Sequence, residues 1–328
     1  MYRRAAPHPD LRSPTFGAHP TLLLTGASGL VGAALCRHAF LKFRVVAAIG
    51  RGAPPSLKRG DRAVRVDLEA AGAATRLFES VEPHAVVHAA ALSALGACES
   101  DPPRARRLNV AATRELAVAA ARSGAWLAFL STDQLFGGEP MRVPFAGYVE
   151  DDPTGPVNVY GKTKLEAEAA IRAAGGDALT LRLSLVVGRS PSSAVRAGRS
   201  AAFDSVRLAP PGSTLRLFDD EFRTPVSALD LARVVDAAAR ARTTGLVHVA
   251  GPERIVRLEL GRRIAALFGL DQGPQALQLL AAKRADAGHP RPRDVSLCCD
   301  RLAVLDLPRP QPLAAALAEL ARERDHAD

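Results

Sequence analysis

The chain has 328 residues, of which 48% are hydrophobic and 23% are charged, and its formal net charge is +9. These proportions are ordinary for a folded globular protein, and no apolar stretch approaches the roughly eighteen residues that a transmembrane helix needs. The four cysteines are too few and too unevenly spaced for a disulfide scaffold or a zinc site, so we predict a protein of the reducing cytoplasm that binds no metal. The lack of a long apolar stretch predicts no contact with a membrane.

The excess of Lys and Arg raises the alternative of a nucleic-acid partner. The arginines are dispersed and form no run with interleaved aromatic residues, which favours a generally basic surface and no nucleic-acid binding. Residues 1–20 contain several Arg and Pro but no apolar core of signal-peptide length, and we interpret them as a flexible basic tail. An organelle-targeting segment is the alternative for this stretch.

Apolar strands and helical segments alternate through the first half of the chain. We predict strands near 21–25, 44–49, 63–66, 85–88, 125–131 and 179–187, and helices near 30–42, 70–81, 102–122 and 158–174. This alternation predicts an α/β fold with a doubly wound, Rossmann-like parallel sheet over residues 21–190, whose ligands gather at the carboxyl ends of the strands. Pro-rich and Gly-rich breaks indicate a smaller mixed C-terminal lobe over residues 191–328, interleaved with the first.

A Gly-rich turn joins the first predicted strand to the first helix. Its sequence is Gly26-Ala27-Ser28-Gly29-Leu30-Val31-Gly32, a GxxGxxG spacing rather than the more familiar GxGxxG. Glycine lets the backbone approach a pyrophosphate, and the helix N-terminus offers it free N–H groups. We predict dinucleotide contacts at Gly26, Ser28, Gly29, Leu30 and Val31. A strand-to-helix turn without a ligand is the alternative.

The ends of the next strands suit other parts of such a cofactor. Arg51 follows the second strand, where Arg accommodates the 2′-phosphate of NADP and a carboxylate would favour NAD, so we predict NADP (NADPH) over NAD. A solvated loop arginine is the alternative. Asp67-Leu68 ends the third strand, and the small residues Ala89-Ala90-Ala91 after the fourth let a cofactor lie against the strand end.

Two short segments carry the predicted chemistry: Ser131-Thr132-Asp133 and Tyr160-Gly161-Lys162-Thr163-Lys164. Residues four apart share a helix face, so Tyr160 and Lys164 project together. The ammonium group is expected to lower the pKa of the Tyr160 hydroxyl toward working pH, as general acid-base catalysis requires, and Thr132 can add a hydrogen bond. The alternative is an amphipathic helix in which the pair serves as ordinary packing and surface residues.

These motifs, in this order, resemble those of the extended short-chain dehydrogenases/reductases, and within them the dTDP-4-dehydrorhamnose reductase type. The resemblance runs from residue 21 to about residue 320, and the segments that carry it are 25–32, 131–138, 156–166, 223–226 and 291–294. It implies an oxidoreductase of carbohydrate biosynthesis that uses NADPH to reduce a 4-keto sugar nucleotide such as dTDP-4-dehydrorhamnose. It also implies that the second lobe holds the nucleotide-sugar substrate, and it is compatible with a homodimer.

The resemblance assigns roles to single residues. Tyr160 would donate a proton to the carbonyl oxygen, Lys164 would bond the nicotinamide ribose and Thr132 would orient the carbonyl. Asp67 would meet the adenine amine or cap a helix, and Asn109 would support the lysine through water or lie exposed on a helix. Residues implied at the substrate are Ser93, Asp133, Phe136 and Arg223, with Arg291 or Arg293 at the diphosphate. Asp133 closing the loop to Phe136, and surface ion pairs for the last two arginines, are the alternatives.

The chain also departs from the reductase pattern. That family usually carries aromatic residues where this chain has Leu92, Gln134, Leu185 and Val187, and Asp where it has Gly96 and Gly137. Stacking surfaces for the sugar or the base are therefore missing. Two other functions stay open: a non-catalytic NADP-binding regulatory subunit, like the related beta subunit of methionine adenosyltransferase, and a sugar-nucleotide epimerase that keeps NAD bound through its cycle. Arg51 argues against the epimerase.

Overall fold

A seven-stranded parallel sheet forms the centre of the fold. The computed structural model describes residues 19–138, 146–191 and 202–323. The strands of the sheet are β1 (Thr21–Thr25), β2 (Arg44–Ile49), β3 (Arg62–Arg65), β4 (Ala85–His88), β5 (Trp126–Thr132), β6 (Ala178–Leu183) and β11 (Gly245–Val249). Their order is β3-β2-β1-β4-β5-β6-β11, and every neighbouring pair is parallel. The predicted doubly wound, Rossmann-like fold is thus confirmed.

Helices cover both faces of the sheet. In the first half they are α1 (Leu30–His38), α2 (Ala73–Val81), α3 (Leu95–Ser100), α4 (Pro102–Arg106), a π-helix (Arg107–Ala111), α5 (Ala112–Ser123) and α6 (Val159–Ala174). Helix α1 packs on one face together with α8 (Ala228–Ala241), and α2, α5 and α6 pack on the other. Because both faces are buried, the central strands are almost wholly apolar, as the sequence of β1 and β4 shows.

The chain after residue 190 builds a second, smaller core and also returns to the central sheet. Its helices are α7 (Ala202–Arg207), α8, α9 (Arg257–Leu267), α10 (Arg301–Val304) and α11 (Leu313–Arg322). Its short strands are β8 (Thr214–Phe218), β9 (Phe222–Arg223), β10 (Val226–Ser227), β12 (Ile255–Val256) and β13 (Gln278–Ala282). They pair as β12-β9 and β13-β8, and β10 pairs with β7 (Val186–Val187), which lies just before residue 190. Strand β11 nevertheless belongs to the large sheet, so the two parts interleave. The predicted boundary at residue 190 stays a prediction.

The predicted elements appear with shifted ends. The helix predicted over 102–122 is divided by the π-helix, and the strand predicted over 179–187 breaks at Ser184 and Leu185 into β6 and β7. Residues 1–18 of the predicted basic tail lie outside the described residues. Within the described ranges, no helix combines the length and the apolar character that crossing a membrane requires.

Candidate active site

A cleft of about 630 Å³ runs along the carboxyl ends of the central strands. It joins the Gly-rich turn to Tyr160 and Lys164, so the two predicted motifs share one groove. Of the residues that the sequence predicted for the site, those that line the cleft are Gly26, Ser28, Gly29, Leu30, Val31, Arg51, Asp67, Leu68, Ala89, Ala90, Ala91, Ser93, Thr132, Asp133, Tyr160, Lys164, Arg223 and Arg291. Phe136 and Arg293 do not line it.

The Gly-rich turn has no room for side chains at its tightest point. Gly26 has a φ of +71°, and a Cβ placed on it would lie 2.6 Å from the backbone nitrogen of Ala90. Helix α1 begins at Leu30 without a side-chain cap, so its first N–H groups face the cleft unblocked. The turn and the small residues after β4 thus form a cradle in which backbone N–H groups and a positive helix end meet, as an anionic pyrophosphate needs.

Charged residues gather at the end of the cleft near β2 and β3. Arg51 is exposed at the rim. Arg104 donates two hydrogen bonds of 3.0 and 2.8 Å to Glu69, and this pairing lowers the pKa of the Glu69 carboxyl. Asp67 does not cap α2, whose N-cap is Gly72; its carboxylate accepts from Glu69 N at 3.0 Å and closes a turn. Asp67 lines the cleft, and its contact with the adenine amine stays a prediction.

The helix that carries Tyr160 and Lys164 is fixed at its first turn. Asn158 caps α6 by accepting from Gly161 N at 2.8 Å, and its amide donates to Gln134 at 3.0 Å. Gly161 allows close approach, because a Cβ there would lie 2.2 Å from the carbonyl oxygen of Gln134. The helix start is therefore held against the segment that follows β5, which brings Tyr160 beside Thr132.

The tyrosine hydroxyl differs from expectation in its acidity. Burial raises the pKa of Tyr160 above its usual value, the nearby Asp133 carboxylate raises it further, and a hydrogen bond with Thr132 opposes them. The predicted lowering of this pKa by Lys164 is therefore wrong for this structure, since the lysine turns to other partners. A phenol that stays protonated at neutral pH can act as a proton donor rather than as a base.

Lys164 is a buried lysine with an unusual environment. Its side chain is 1% exposed, and Nζ donates to the carbonyl oxygen of Leu130 at 2.6 Å and lies 3.8 Å from the centre of the Phe129 ring. Burial lowers the pKa of Lys164 to about 7, and the Glu168 carboxylate one turn along the helix opposes this shift. Glu168 is itself anchored by Ser131 at 2.6 Å and by Arg182 at 2.9 Å.

Asn109 lies within the π-helix and is not exposed, which excludes one of its two interpretations. It is 1% exposed; its side-chain oxygen accepts from Leu92 N at 2.8 Å, and its amide donates to Thr163 at 3.0 Å. Asn109 thus ties the segment after β4 to the residue next to Lys164. A π-turn inserts an extra residue into a helix and is common at functional sites.

Three arginines surround one buried glutamate at the other end of the cleft. Glu221 is 0% exposed and receives contacts from Arg291 (2.5 Å), Arg257 (3.1 Å) and Arg223 (3.4 Å). Burial raises the pKa of the Glu221 carboxyl, but the three guanidinium groups outweigh burial and lower this pKa to about 2. The sequence did not predict Glu221 or Arg257, because neither belongs to a recognisable motif. Glu221 and Asp133, which also contacts Arg223, are two carboxylates against three guanidinium groups, so this end keeps an excess of positive charge that attracts anions.

Asp133 links the tyrosine to the arginine cluster. It is 4% exposed, accepts from Ser184 Oγ and Gln134 Nε2 at 3.2 Å each, and lies 3.4 Å from Arg223 Nε. Burial raises the pKa of Asp133, and Arg223 opposes that shift. Its side chain faces the cleft rather than capping the following loop. Ser184 and Gln134 are further cleft residues that the sequence did not predict.

Phe136 lies in a core instead of bordering a substrate. Its ring is 0% exposed and stacks on Tyr148 with centroids 4.2 Å apart and planes 9° apart, while His248 meets it edge-on at 5.7 Å. Tyr148 and His248 are distant in sequence, so no local pattern could predict this packing. Arg293 is exposed and outside the cleft, which leaves Arg291 as the arginine of that motif within reach of a ligand.

A buried histidine lies directly below the cleft. His88 ends β4, is 1% exposed, and has Thr25 Oγ1 at 2.6 Å from Nδ1 and Thr113 Oγ1 at 2.9 Å from Nε2. Burial, reinforced by the charge of Lys164, lowers the pKa of His88 to about 3. Since the ring has partners on both nitrogens, it is satisfied in its neutral form.

We expect His88 to make the fold sensitive to mild acid. The unfolded chain protonates this ring near pH 6.5, whereas the folded protein keeps it neutral until about pH 3. Because the unfolded state binds the additional proton, the free energy of unfolding falls as pH falls below 6.5, by about 2 kcal/mol at pH 5 from this residue. Urea unfolding of the wild type and His88→Gln at pH 7 and pH 5 measures this. The variant should lose less stability on acidification; equal losses would contradict the assignment.

Comparisons with known proteins extend over nearly the whole chain. The model of the family described as RmlD substrate binding domain matches residues 20–325. Methionine adenosyltransferase 2 subunit beta of Mus musculus is 30% identical over 307 residues, which cover 91% of this chain and 86% of that protein. A dTDP-4-dehydrorhamnose reductase of Burkholderia thailandensis is 34% identical over 237 residues, covering 70% and 72%. Among solved structures, dTDP-4-dehydrorhamnose reductase from Bacillus anthracis in complex with NADP aligns with a TM-score of 0.75 at 19% sequence identity. The alignment covers 92% of this chain and 99% of that chain, so the two proteins share a fold.

Proposed function

Because the chain belongs to the family of the RmlD substrate binding domain, we propose that it is an NADPH-dependent reductase of a 4-keto sugar nucleotide such as dTDP-4-dehydrorhamnose. The observation that carries this proposal is the meeting of Tyr160, Thr132 and Lys164 with the Gly-rich turn in one cleft. A proton donor, a hydroxyl partner and a cation beside a dinucleotide cradle are the groups that carbonyl reduction needs.

The cofactor fits the first half of the cleft. The backbone cradle at Gly26 and the start of α1 suit the pyrophosphate, and Arg51 suits the 2′-phosphate that distinguishes NADPH from NADH. Lys164 lines the cleft beside Tyr160, where the nicotinamide ribose would lie. When bound, NADPH supplies the hydride that adds to the carbonyl carbon.

Tyr160 completes the reduction by giving its hydroxyl proton to the carbonyl oxygen, so that a ketone becomes an alcohol. Burial keeps this phenol protonated at neutral pH, and the Thr132 hydroxyl beside it can orient the same oxygen. Both groups act on charge that develops on the oxygen in the transition state, so they should govern turnover more than binding.

The arginine cluster fits the diphosphate of a nucleotide sugar. Arg223, Arg257 and Arg291 line the cleft with Glu221, and Arg binds phosphate oxygens in a bidentate manner. All three arginines follow residue 190, which supports residues 191–328 as the substrate lobe. The four cysteines are all free thiols, as a reducing cytoplasm would keep them.

Arg51 should select the cofactor. Arg51→Ala is expected to weaken NADP⁺ binding by about 10- to 100-fold, the loss of one charge-assisted contact, and to leave NAD⁺ binding unchanged. Isothermal titration with each dinucleotide measures the two affinities without any substrate. Arg59→Ala, an exposed arginine outside the cleft, is the matched control and should change neither. Equal weakening of both dinucleotides by Arg51→Ala would refute the role.

The activity itself is tested with purified protein, NADPH or NADH, and a panel of 4-keto sugar nucleotides that carry dTDP or UDP. Loss of the absorbance of the reduced nicotinamide should require the sugar nucleotide and should be faster with NADPH. Turnover at the wild-type rate after removal of the Tyr160 hydroxyl, or no turnover on any substrate, would count against the reductase.

A second function has one specific observation in its favour. The beta subunit from Mus musculus matches 91% of this chain, more than the 70% that the reductase from Burkholderia thailandensis matches. A regulatory subunit would bind NADP⁺ tightly, reduce no member of the panel, and be retained by an immobilised methionine adenosyltransferase. Reduction by the wild type together with no retention would exclude it.

A further inference from the structure

We propose that His88 is a positioning residue: its neutral ring joins the Gly-rich turn to the catalytic helix through one directed chain of buried hydrogen bonds. This inference rests on the proposed function, because the turn and the helix are the parts that would hold the dinucleotide and the proton donor. His88 itself does not line the cleft.

The donor and the acceptor in each of these hydrogen bonds follow from counting the available protons. The Thr113 hydroxyl donates to the carbonyl oxygen of Asn109 at 2.8 Å, so toward His88 Nε2, at 2.9 Å, it can only accept. Nε2 therefore carries the ring proton. Nδ1 is then an acceptor and receives the proton of the Thr25 hydroxyl at 2.6 Å. The Thr25 oxygen is left free to accept from Ala90 N at 3.3 Å.

One end of this chain holds the floor of the cradle. Thr25 is the last residue of β1 and precedes Gly26, and Ala90 lies in the small-residue segment after β4. The close approach of Gly26 to the backbone of Ala89 and Ala90 leaves no space for adjustment by side chains. Hydrogen bonds through Thr25 and His88 thus set the relative position of the two segments that a pyrophosphate would touch.

The other end reaches the helix of the proton donor. Asn109 accepts the Thr113 hydroxyl on its backbone oxygen and donates its side-chain amide to Thr163 Oγ1 at 3.0 Å. Thr163 in turn donates to the backbone oxygen of Tyr160 at 2.8 Å and precedes Lys164. Five of the side chains on this path are at most 1% exposed: Thr25, His88, Asn109, Thr113 and Thr163.

The surroundings of His88 keep its imidazole neutral, as the chain of hydrogen bonds requires. His88 stacks on Phe129 with ring centroids 5.8 Å apart, and the Lys164 ammonium lies 3.8 Å from the centre of the Phe129 ring. The helix α6 thus places a cation near the imidazole. A second proton on His88 would sit on Nδ1 and replace the acceptor that holds the Thr25 hydroxyl.

Thr113 gives the sharpest test, because it offers two conservative variants: valine matches its shape, and serine lacks only its methyl group. Thr113→Val removes the acceptor of the Nε2 proton, and Thr113→Ser keeps it. We expect NADP⁺ binding to weaken by about 5- to 20-fold in Thr113→Val and in His88→Gln, the effect of one buried hydrogen bond, and to be retained in Thr113→Ser. His84→Gln is the matched control: His84 also joins β1 to β4, accepting from Thr21 N at 3.1 Å, but at the opposite end of the strands. It should leave the affinity unchanged.

Nitrogen NMR of the wild type tests this chain of hydrogen bonds without any ligand. The His88 imidazole should carry a proton on Nε2 and none on Nδ1 from pH 5 to pH 8. The opposite tautomer, or a charged ring, would overturn the proposal. So would a Thr113→Val protein that loses thermal stability but binds NADP⁺ as the wild type does. If the wild type fails to bind NADP⁺ at all while the NMR result holds, the proposed function fails and the hydrogen-bond chain stands.

Discussion

Replacing Tyr160 with phenylalanine is expected to lower the rate of carbonyl reduction by about 10²- to 10⁴-fold, the usual contribution of a general acid. The substitution removes only the hydroxyl, so the ring still packs against the cleft wall and the dinucleotide cradle at Gly26 is untouched. Affinity for NADP⁺ should therefore stay at the wild-type value. Single-turnover reduction of the best substrate of the panel, together with NADP⁺ titration, separates the two effects.

Tyr148→Phe is the matched control for this variant. It makes the same chemical change at a tyrosine outside the cleft, in the core beside Phe136, and should leave turnover unchanged. A Tyr160→Phe enzyme that turns over at the wild-type rate would remove the proton donor from the mechanism. Loss of NADP⁺ binding in that variant would instead mean that the hydroxyl helps to hold the cofactor.

The parts of the fold that the sequence predicted are those in which local pattern and tertiary environment agree. The predicted central strands are apolar because both faces of the sheet are covered, and the Gly-rich turn is needed where Gly26 touches Ala90. Strand β11 was not predicted as part of the large sheet, because its partner β6 is far away in sequence. The break after β6 has a similar origin: Ser184 turns its hydroxyl to Asp133, which no local pattern encodes.

The residues of the candidate site divide in the same way, into those that a local motif predicts and those that only tertiary contacts bring together. Motif residues such as Tyr160 and Arg51 lie where predicted because their spacing places them at strand ends or on one helix face. Glu221 and Arg257 could not be found, since they come from separate short elements that only the folded chain brings together. The predicted effect of Lys164 on Tyr160 was wrong because spacing along a helix fixes a shared face but not the direction of a long side chain, which here points to Leu130 and Phe129.

The burial of Lys164 has a stability cost that a second substitution should reveal. Its pKa falls from the ordinary value of 10.5 to about 7 in the folded protein, so between these pH values the unfolded state binds more protons. The contribution of Lys164 to the free energy of unfolding should therefore rise with pH from 7 to 10, and its penalty should be near its full size at pH 7 and below. Such a cost is typical of residues kept for function rather than for stability.

Lys164→Met is accordingly expected to be more stable than the wild type at pH 7, by about 2 to 3 kcal/mol once the lost hydrogen bond and cation-π contact are subtracted. The same variant should bind NADP⁺ less tightly and lose turnover, because Lys164 lines the cleft where the nicotinamide ribose would lie. Urea unfolding of both proteins at pH 7 and pH 10 measures the first effect: the stability gain of the variant over the wild type should be largest at pH 7 and should shrink by pH 10. Lys162→Met, on the exposed face of the same helix, should change neither stability nor binding. A Lys164→Met protein less stable than the wild type would show instead that the buried ammonium group stabilises the fold through Leu130 and Phe129, and would contradict a functional reason for its burial.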